Sequence, residues 1–323
     1  MKAAVLAAGL GTRLKPLTDI RPKPLWPVLN RPLLGLVLAQ LEAAGCSQVA
    51  VNTHHLADQV HDFLRAEPWS FLLSVSHEPE ILGTGGGLRQ LAEVLREGPF
   101  LALNADILTD LDLAGVYGAH QSGAVSTLVL HDCAPYNNVW VKDGRVVSVG
   151  APTPGGRAGD EQAKPLAYTG VQVVDPTMRR YLPPPGEPGD LVQAWREALK
   201  AGERLAYLTV SGHFWQDLGT PANYLEAHRR LLTGAWPKLA GYFPGLADPL
   251  MGPGVRIGAR ARFGGGVCLG SNVAVEEGAA LKNSVVWDRA VIRANVELED
   301  CIVAAGVEVK ESARGQVLVG EYT

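Results

Sequence analysis

A chain of 323 residues is longer than one typical small domain, so two domains are expected. The composition is 47% hydrophobic and 19% charged, and a formal net charge of −4 with scattered basic residues predicts neither a nucleic-acid stripe nor a polybasic membrane patch. No apolar run approaches the roughly 18 residues that a membrane span needs, and four widely spaced cysteines without a C-x-x-C pair disfavour zinc and redox sites. We therefore expect a cytoplasmic protein with no nucleic-acid and no membrane partner.

The first two-thirds of the chain alternates short apolar runs with amphipathic stretches. We predict strands at Lys2–Leu6, Gln48–Asn52, Phe71–Ser76 and Pro99–Leu103, and helices at Pro32–Ala44, Ala57–Ala66, Gly86–Leu95 and Thr220–Leu232. This alternation predicts an α/β, Rossmann-like domain with a mostly parallel sheet, in which ligands bind at the carboxyl ends of strands. Two Pro/Gly-rich stretches, Ala151–Lys164 and Pro183–Gly189, are interpreted as flexible surface loops or lids.

The last part of the chain contains a six-residue repeat. Small apolar residues recur at Val255, Ala261, Val267, Val273, Ala279, Val285 and Val291, and a second row follows two residues later at Ile257, Phe263, Leu269, Val275, Leu281 and Trp287. A hexapeptide period predicts a parallel β-helix of roughly four coils, with a shift of phase near Arg293–Asp300. We predict domain boundaries at 1–235 for the α/β domain, 236–250 for a connector and 251–323 for the β-helix.

A glycine loop with two cations follows the first predicted strand. Gly9-Leu10-Gly11-Thr12-Arg13-Leu14 is not a dinucleotide fingerprint, because Leu14 stands at its sixth position, and no Gly-Lys-Ser/Thr of a Walker loop is present. What remains is a loop whose bare backbone amides can hold phosphate oxygens. Arg13 and Lys23 add positive charge, and prolines beside Lys23 restrict its backbone. The pattern therefore predicts a polyphosphate site.

The segment from Leu6 to Leu25 resembles the signature L-A-x-G-x-G-T-R-L-x-P-L-T-x-x-x-P-K-P-L of the sugar-1-phosphate nucleotidylyltransferases, and every fixed position is filled. The likeness continues through Leu82-Gly83-Thr84-Gly85-Gly86-Gly87, Asn104-Ala105-Asp106, Tyr168-Thr169-Gly170-Val171 and Trp215-Gln216-Asp217-Leu218-Gly219-Thr220-Pro221. Many members, the mannose-1-phosphate guanylyltransferases among them, also carry a C-terminal left-handed β-helix. The resemblance thus covers nearly the whole chain.

The resemblance implies that a nucleoside triphosphate and a sugar 1-phosphate give a nucleoside-diphosphate sugar and pyrophosphate. It assigns catalysis to Arg13, which would stabilise the departing pyrophosphate, and to Lys23, which would stabilise charge at the α-phosphate. It implies a Mg²⁺ cofactor held by Asp106 and Asp217. The nucleotide-binding residues that it implies, besides Arg13, are Leu6, Ala8, Gly9, Gly11, Thr12, Glu78, Gly83 and Thr84.

For the sugar phosphate, the resemblance implies Asn104, Thr169 and Gly170. Many relatives carry Glu-Lys-Pro well upstream of the Thr-Gly pair, whereas the only Lys-Pro in that part of this chain is Lys164-Pro165, preceded by Ala163. Lys164 is the candidate for this contact, and an ordinary solvated lysine is the alternative.

The choice of base rests on Glu78, which stands five residues before Gly83, where base-reading residues lie in this family. A carboxylate only accepts hydrogen bonds, and guanine offers two adjacent donors, whereas uracil and thymine offer one. This favours GTP and mannose 1-phosphate. A uridylyltransferase for an amino-sugar or hexose 1-phosphate is the alternative, since "VNTHHLADQV" is similar to uridylyltransferases of cell-wall sugars.

Three other classes of protein compete with this interpretation. A hexapeptide acyltransferase would place a histidine in the repeats, and all eight histidines fall at or before His228. A glycosyltransferase would show a D-x-D pair, but Ile107 and Leu108 follow Asp106. A non-catalytic regulatory subunit that binds nucleotide sugars would normally lack the signature Arg, Lys or aspartates. We expect the β-helix to mediate a homo-oligomer or regulation.

Overall fold

The computed structural model describes residues 1–150, 163–234 and 236–320. Their contacts form two compact units, Met1–Leu10 with Val37–Trp215, and Gly11–Leu36 with Gln216–Thr323. The predicted boundaries near residues 235 and 251 stay a prediction. The predicted loop at 151–164 lies outside the described residues except for its last two. No helix within the described ranges is long and apolar enough to cross a membrane.

Strands and helices alternate along the chain up to residue 240. The strands are β1 (Lys2–Leu6), β2 (Pro27–Val28), β3 (Arg31–Pro32), β4 (Gln48–Thr53), β5 (Leu72–His77), β6 (Phe100–Asn104), β7 (Ile107–Thr109), β8 (Ser126–His131), β9 (Val139–Lys142), β10 (Arg145–Val149), β11 (Lys164–Val174), β12 (Leu205–Thr209) and β13 (Trp215–Asp217). The α-helices are α1 (Leu17–Ile20), α2 (Leu33–Ala43), α3 (Ala57–Ala66), α4 (Gly83–Leu95), α5 (Leu113–Gly118), α6 (Leu191–Lys200), α7 (Pro221–Thr233) and α8 (Pro237–Ala240). Short 3₁₀ turns occupy Thr12–Leu14, Lys23–Leu25, Ala134–Tyr136 and Pro176–Arg180.

The first unit contains a nine-stranded mixed sheet with helices, which confirms the predicted Rossmann-like class. Its main order is β10-β9-β11-β6-β1-β4-β5, with β8 beside β11 and β12 beside β8. Strand β1 runs parallel to β4 on one side and to β6 on the other. The chain therefore passes from β1 to β4 and β5 and then returns to the opposite side of β1. Such a reversal of strand order opens a ligand crevice at the carboxyl ends of the strands.

The C-terminal strands of the second unit form the left-handed parallel β-helix that the repeat predicts. These strands are β14 (Leu250–Met251), β15 (Arg256–Ile257), β16 (Arg262–Phe263), β17 (Cys268–Leu269), β18 (Ala274–Val275), β19 (Ala280–Lys282), β20 (Val285–Val286), β21 (Val291–Ile292), β22 (Glu297–Glu299), β23 (Ile302–Val303), β24 (Glu308–Val309), β25 (Ala313–Arg314) and β26 (Val317–Leu318). They stack into three parallel sheets, β14-β17-β20-β23-β26, β15-β18-β21-β24 and β16-β19-β22-β25.

The predicted phase shift near Arg293–Asp300 is confirmed, but an earlier shift was missed. Leu250 pairs with Cys268, eighteen residues on, but Cys268 pairs with Val285, only seventeen residues on. The coil therefore loses one residue between β19 and β20. A further residue is lost between β22 and β23, at the predicted place, because Ile302 follows Glu297 by five residues instead of six. As a result Leu269 pairs with Val286, and Trp287 leaves the inward-facing row in which the six-residue period placed it.

Candidate active site

In the first unit, the predicted nucleotide loop leaves the sheet at the end of β1. Leu6 lies opposite Asn52 of β4 and Asn104 of β6, so three carboxyl ends are in register. The Ala7 amide donates to Asn52 Oδ1 (2.6 Å), and the Ala105 amide donates to the Leu6 carbonyl (2.9 Å). Strands on both sides therefore hold the start of the loop.

Of the residues predicted to bind the nucleotide, Leu6 is half-buried, Ala8 is buried and Gly9 is exposed. A Cβ atom placed on Gly9 would meet no other atom within 4 Å. The backbone at Gly9 thus faces open space, which leaves room for a ligand to approach it closely.

Glu78 does not have the environment of a base-reading residue, which corrects the inference of guanine from this side chain. Its side chain is 0% exposed. Oε1 accepts a hydrogen bond from Asn52 Nδ2 (2.7 Å), and Oε2 accepts one from the Leu82 amide (3.0 Å). A carboxylate that is buried and bonded at both oxygens holds its own chain together. Glu78 therefore fixes Asn52, which in turn holds Ala7 at the nucleotide loop.

Sequence reasoning missed two residues of this network, Asn52 and Gly87. A Cβ on Gly87 would lie 2.5 Å from Asn52 Nδ2 and 2.9 Å from Glu78 Oε1, so only glycine fits beside the pair. A polar Asn at the end of a buried apolar strand was the signal for Asn52, because a buried amide needs a specific partner. For Gly87, the third glycine of the Gly85-Gly86-Gly87 run was the signal.

Gly83 and Thr84 open helix α4 and remain exposed. Gly83 has φ +68°, and a Cβ there would lie 2.8 Å from the Gly189 carbonyl oxygen. That oxygen accepts a hydrogen bond from the Gly85 amide (2.8 Å), and Thr84 Oγ1 accepts one from the Leu191 amide (3.1 Å). The stretch Pro183–Gly189, interpreted as a flexible loop or lid, is therefore anchored at its carboxyl end by the first turn of α4.

Asn104 ends β6, Asp106 lies in the short connection between β6 and β7, and Gly170 of β11 lies close in space to Ile107 and Asn104. Gly170 has φ +85°, and a Cβ there would lie 2.8 Å from Ile107 Cγ1 and 3.5 Å from Asn104 Cβ. The pairing of β11 with β8 shifts register between Tyr168 and Gln172, so Gly170 lies in an irregular part of the strand. Asn104 and Asp106 are both half-buried.

The side chains of two of the predicted sugar-phosphate residues, Thr169 and Lys164, have partners away from Asn104 and Gly170, which corrects the assignment of these side chains. The Thr169 side chain is fully buried and donates to the Val129 carbonyl (2.9 Å), so it faces the sheet interior. Lys164 begins β11, six residues and therefore about 20 Å of extended chain before Gly170. Its Nζ lies 3.7 Å from Asp132 Oδ2, and both side chains are exposed. The solvated-lysine alternative is thus the better description of Lys164.

The second unit holds the predicted phosphate-binding half of the signature. Gly11 has φ +61°, and a Cβ there would lie 2.8 Å from Thr18 Cγ2 and 3.6 Å from Lys23 Cβ. Thr18 is fully buried, and its Oγ1 donates to the Gly11 carbonyl (3.3 Å). Thr12 and Arg13 follow in an exposed 3₁₀ turn. The glycine loop therefore packs directly against Lys23, the second of the two predicted cations.

Lys23 lies in the next 3₁₀ turn, between Pro22 and Pro24, and is only 7% exposed. Its Nζ is 3.9 Å from Asp217 Oδ1, the last residue of β13. Gly219 was also overlooked: a Cβ there would lie 2.8 Å from both Arg13 Nη2 and Asp217 Oδ2. Arg13, Lys23 and Asp217 are thus brought together around a bare glycine.

Metal binding stays a prediction for both aspartates. Within the described part of the chain, no three His, Cys, Asp or Glu side chains are grouped so that they could hold a metal ion. Magnesium does not require such a cage, because it usually binds one or two carboxylates together with substrate phosphates and waters. Asp106 and Asp217 each carry the carboxylate oxygens that this ion prefers.

Comparisons with known proteins agree with this description. Residues 2–138 match the nucleotidyl transferase family model, and residues 247–322 match the model of the GMPPB C-terminal domain. The N-acetylmuramate alpha-1-phosphate uridylyltransferase of Neisseria meningitidis is 31% identical over 244 residues, which cover 73% of this chain and 100% of that protein. The mannose-1-phosphate guanylyltransferase catalytic subunit beta of Danio rerio is 29% identical over 329 residues, covering 97% and 89% of the two chains.

Among solved structures, HddC from Yersinia pseudotuberculosis complexed with GMP-PN superposes with a TM-score of 0.58 at 20% identity, over 70% of this chain and 97% of that one. At that identity the likeness concerns the fold alone. The sequence relatives show the family as well as the fold, because the Neisseria protein is 31% identical and is matched over its whole length. The chain therefore belongs to the sugar-1-phosphate nucleotidylyltransferases, and it is an enzyme of that family.

Proposed function

We propose that this enzyme forms GDP-mannose from GTP and mannose 1-phosphate and releases pyrophosphate. The observation that carries the choice of substrates is the match of residues 247–322 to the GMPPB C-terminal domain. The guanylyltransferase from Danio rerio, moreover, aligns with 97% of this chain, β-helix included. Glu78 does not contribute to this choice, because its carboxylate is buried and bonded within the chain.

The chemistry that we propose is in-line attack of a sugar-phosphate oxygen on the α-phosphorus, with breakage of the bond to pyrophosphate. Most of the catalysis in such a reaction comes from positioning and from charge neutralisation. Arg13 is exposed on the glycine loop, where its guanidinium can neutralise the leaving pyrophosphate. Lys23 is buried between two prolines, so its ammonium is already in place to neutralise charge that develops at the α-phosphate.

We also propose that Asp106 and Asp217 hold Mg²⁺. The ion, when bound, supplies positive charge to the triphosphate and lowers the barrier to departure of pyrophosphate. Asp217 supports this assignment because it lies 3.9 Å from the Lys23 ammonium and beside the bare Gly219. Lys23 would thus neutralise charge on the phosphates directly, and Asp217 would do so through the Mg²⁺ ion that it holds.

A uridylyltransferase is the second candidate, favoured by the 31% identity to the Neisseria enzyme across the whole of that protein. That relative matches 73% of this chain, whereas the guanylyltransferase matches 97%. The two candidates share the reaction and differ in base and sugar.

The test is pyrophosphate release with Mg²⁺ for GTP, UTP, ATP and dTTP, each combined with mannose, glucose, N-acetylglucosamine and N-acetylmuramate 1-phosphates. The proposal predicts the highest kcat/KM for GTP with mannose 1-phosphate. A preference for UTP with N-acetylmuramate 1-phosphate would establish the alternative. If the protein binds nucleotide but turns over none of these substrate pairs, it is a regulatory, non-catalytic protein. Arg13→Ala serves as the control for background hydrolysis.

A further inference from the structure

One aromatic side chain of the β-helix touches both ends of the turn that carries Lys23. Trp287 is 1% exposed, and its ring lies 5.6 Å from that of Trp26 at an interplanar angle of 71°. The Arg21 guanidinium carbon lies 5.0 Å from the Trp287 ring centroid. Arg21 precedes Lys23 by two residues and Trp26 follows it by three. The same indole therefore supports the chain before and after the lysine.

Trp26 closes this turn through its own polar groups. Its amide donates to the Lys23 carbonyl (3.0 Å), and its Nε1 donates to the Arg21 carbonyl (3.1 Å). The Trp26 ring is 1% exposed, so it has no freedom to move away from Trp287 without opening a cavity. The backbone of Lys23 is thus connected to the β-helix through the packed rings of Trp26 and Trp287.

Helix α7 adds a second connection to the same segment. Trp287 Nε1 donates to Tyr224 Oη (3.2 Å), and that hydroxyl donates to the Pro27 carbonyl. The Leu29 amide donates to His228 Nε2 (3.2 Å). Tyr224 and His228 are fully buried. Side chains of α7 therefore hold the residues that follow the lysine turn.

The shortened coil of the β-helix explains why Trp287 is available for this contact. Continued at eighteen residues, the period would pair Leu269 with Trp287, but Leu269 pairs with Val286. Val286 therefore takes the inward-facing position that corresponds to Leu269. Because successive residues of an extended chain face opposite sides, the next residue, Trp287, faces away from the interior. One missing residue thus turns the largest side chain of the repeat toward Trp26.

We propose that Trp287 is a positioning residue for Lys23, so that the β-helix takes part in catalysis by holding the signature loop. This inference rests on the proposed function for its kinetic consequence, though not for its structural one. It gives the repeat a role inside a single chain, separate from any assembly of several chains. Trp287 touches no reacting atom and acts through Trp26, Arg21 and Tyr224.

The test compares Trp287→Leu with Trp287→Phe and with the control Leu298→Ala in the full-length protein. Leu298 is a buried residue of β22 that pairs with Leu281 and Ala313, in a different sheet of the β-helix from β20 and Trp287. Phenylalanine keeps a ring against Trp26 and Arg21, whereas leucine does not. Two readouts are measured for each variant: hydrogen exchange of the amides in residues 11–30, and kcat and KM for pyrophosphate release.

We expect Trp287→Leu to exchange residues 11–30 about 10-fold faster than the wild type and to lower kcat by about 10- to 100-fold. Trp287→Phe should restore most of both values. Leu298→Ala should lower the thermal midpoint without either effect. The proposal is overturned if Trp287→Leu leaves exchange and kcat unchanged, or if Leu298→Ala reproduces both changes.

If Trp287→Leu does not fold, Trp287→Met replaces it, because methionine also lacks a ring but fills more of the space that the indole leaves. Wild-type exchange and kcat in that variant would overturn the proposal. Should the wild type itself release no pyrophosphate with any substrate pair, the proposed function fails. Hydrogen exchange then still decides whether Trp287 holds the loop. The two failures are therefore distinguishable.

Discussion

Burial of His228 makes the stability of the second unit depend on pH. This residue lies in α7 without solvent contact, and its Nδ1 donates to the Tyr224 carbonyl (2.9 Å) while Nε2 accepts from the Leu29 amide. Both nitrogens are satisfied in the neutral ring. Burial lowers the pKa of His228 from 6.5 to about 4, because the imidazolium ion would lose its hydration. We expect His228→Gln to weaken the pH dependence of unfolding.

The size of the effect follows from the two pKa values. A folded-state pKa below the unfolded value means that the neutral ring stabilises the fold fully above pH 6.5, and that this stabilisation is lost as the pH falls from 6.5 toward 4. Between pH 7 and pH 5 the loss amounts to about 2 kcal/mol in the free energy of unfolding. His131, whose pKa burial also lowers to about 4, contributes equally to wild type and variant and therefore cancels.

The assay is equilibrium unfolding in urea at pH 7, 6 and 5, followed by tryptophan fluorescence, because Trp26 and Trp287 lie in the same cluster as His228. The glutamine side chain can still accept a hydrogen bond from the Leu29 amide, and it does not titrate. The substitution therefore costs nearly the same free energy of unfolding at every pH. The variant should lose about 2 kcal/mol less than the wild type between pH 7 and 5. Equal losses in both proteins would refute the reasoning. His77→Gln, at an exposed histidine, is the matched control.

Three further predictions concern the site. Arg13→Ala and Asp106→Ala should each lower kcat by about 10²-fold or more with unchanged circular dichroism; near-normal rates would remove the role of that residue. Gly219→Ala should lower kcat about 10-fold, because its Cβ would lie 2.8 Å from Arg13 Nη2 and Asp217 Oδ2, and steady-state kinetics beside a thermal melt test this. Glu78→Gln should cost about 1–3 kcal/mol of unfolding free energy and leave the ratio of kcat/KM for GTP and UTP unchanged; a switch of base would contradict its structural role.

Local patterns predicted the architecture well. The strand at Lys2–Leu6 and the helix at Ala57–Ala66 have the predicted bounds, and the hexapeptide period predicted the stacked parallel strands. In each case the signal is the spacing of apolar residues, which depends only on which face of the element is buried. Such spacing can be read without knowledge of tertiary contacts.

Side-chain environments could not be read in the same way. Glu78 and Thr169 stand within motifs, yet both side chains turn inward to partners far along the chain, Asn52 and the Val129 carbonyl. The loss of one residue before Val285 cannot be seen in the sequence, because Val285 continues the six-residue row while Val286 takes the inward-facing position. Burial and hydrogen-bond partners depend on segments that meet only in the folded protein.

The most direct test of the proposed reaction follows the α-phosphate of GTP. The enzyme is incubated with Mg²⁺, mannose 1-phosphate and GTP labelled at the α-phosphorus, and the label and the released pyrophosphate are quantified together. We expect all consumed label to appear in GDP-mannose, with one pyrophosphate released for each molecule formed. Label that remains in GTP, or that appears in GDP with release of inorganic phosphate, would contradict nucleotidyl transfer to this sugar.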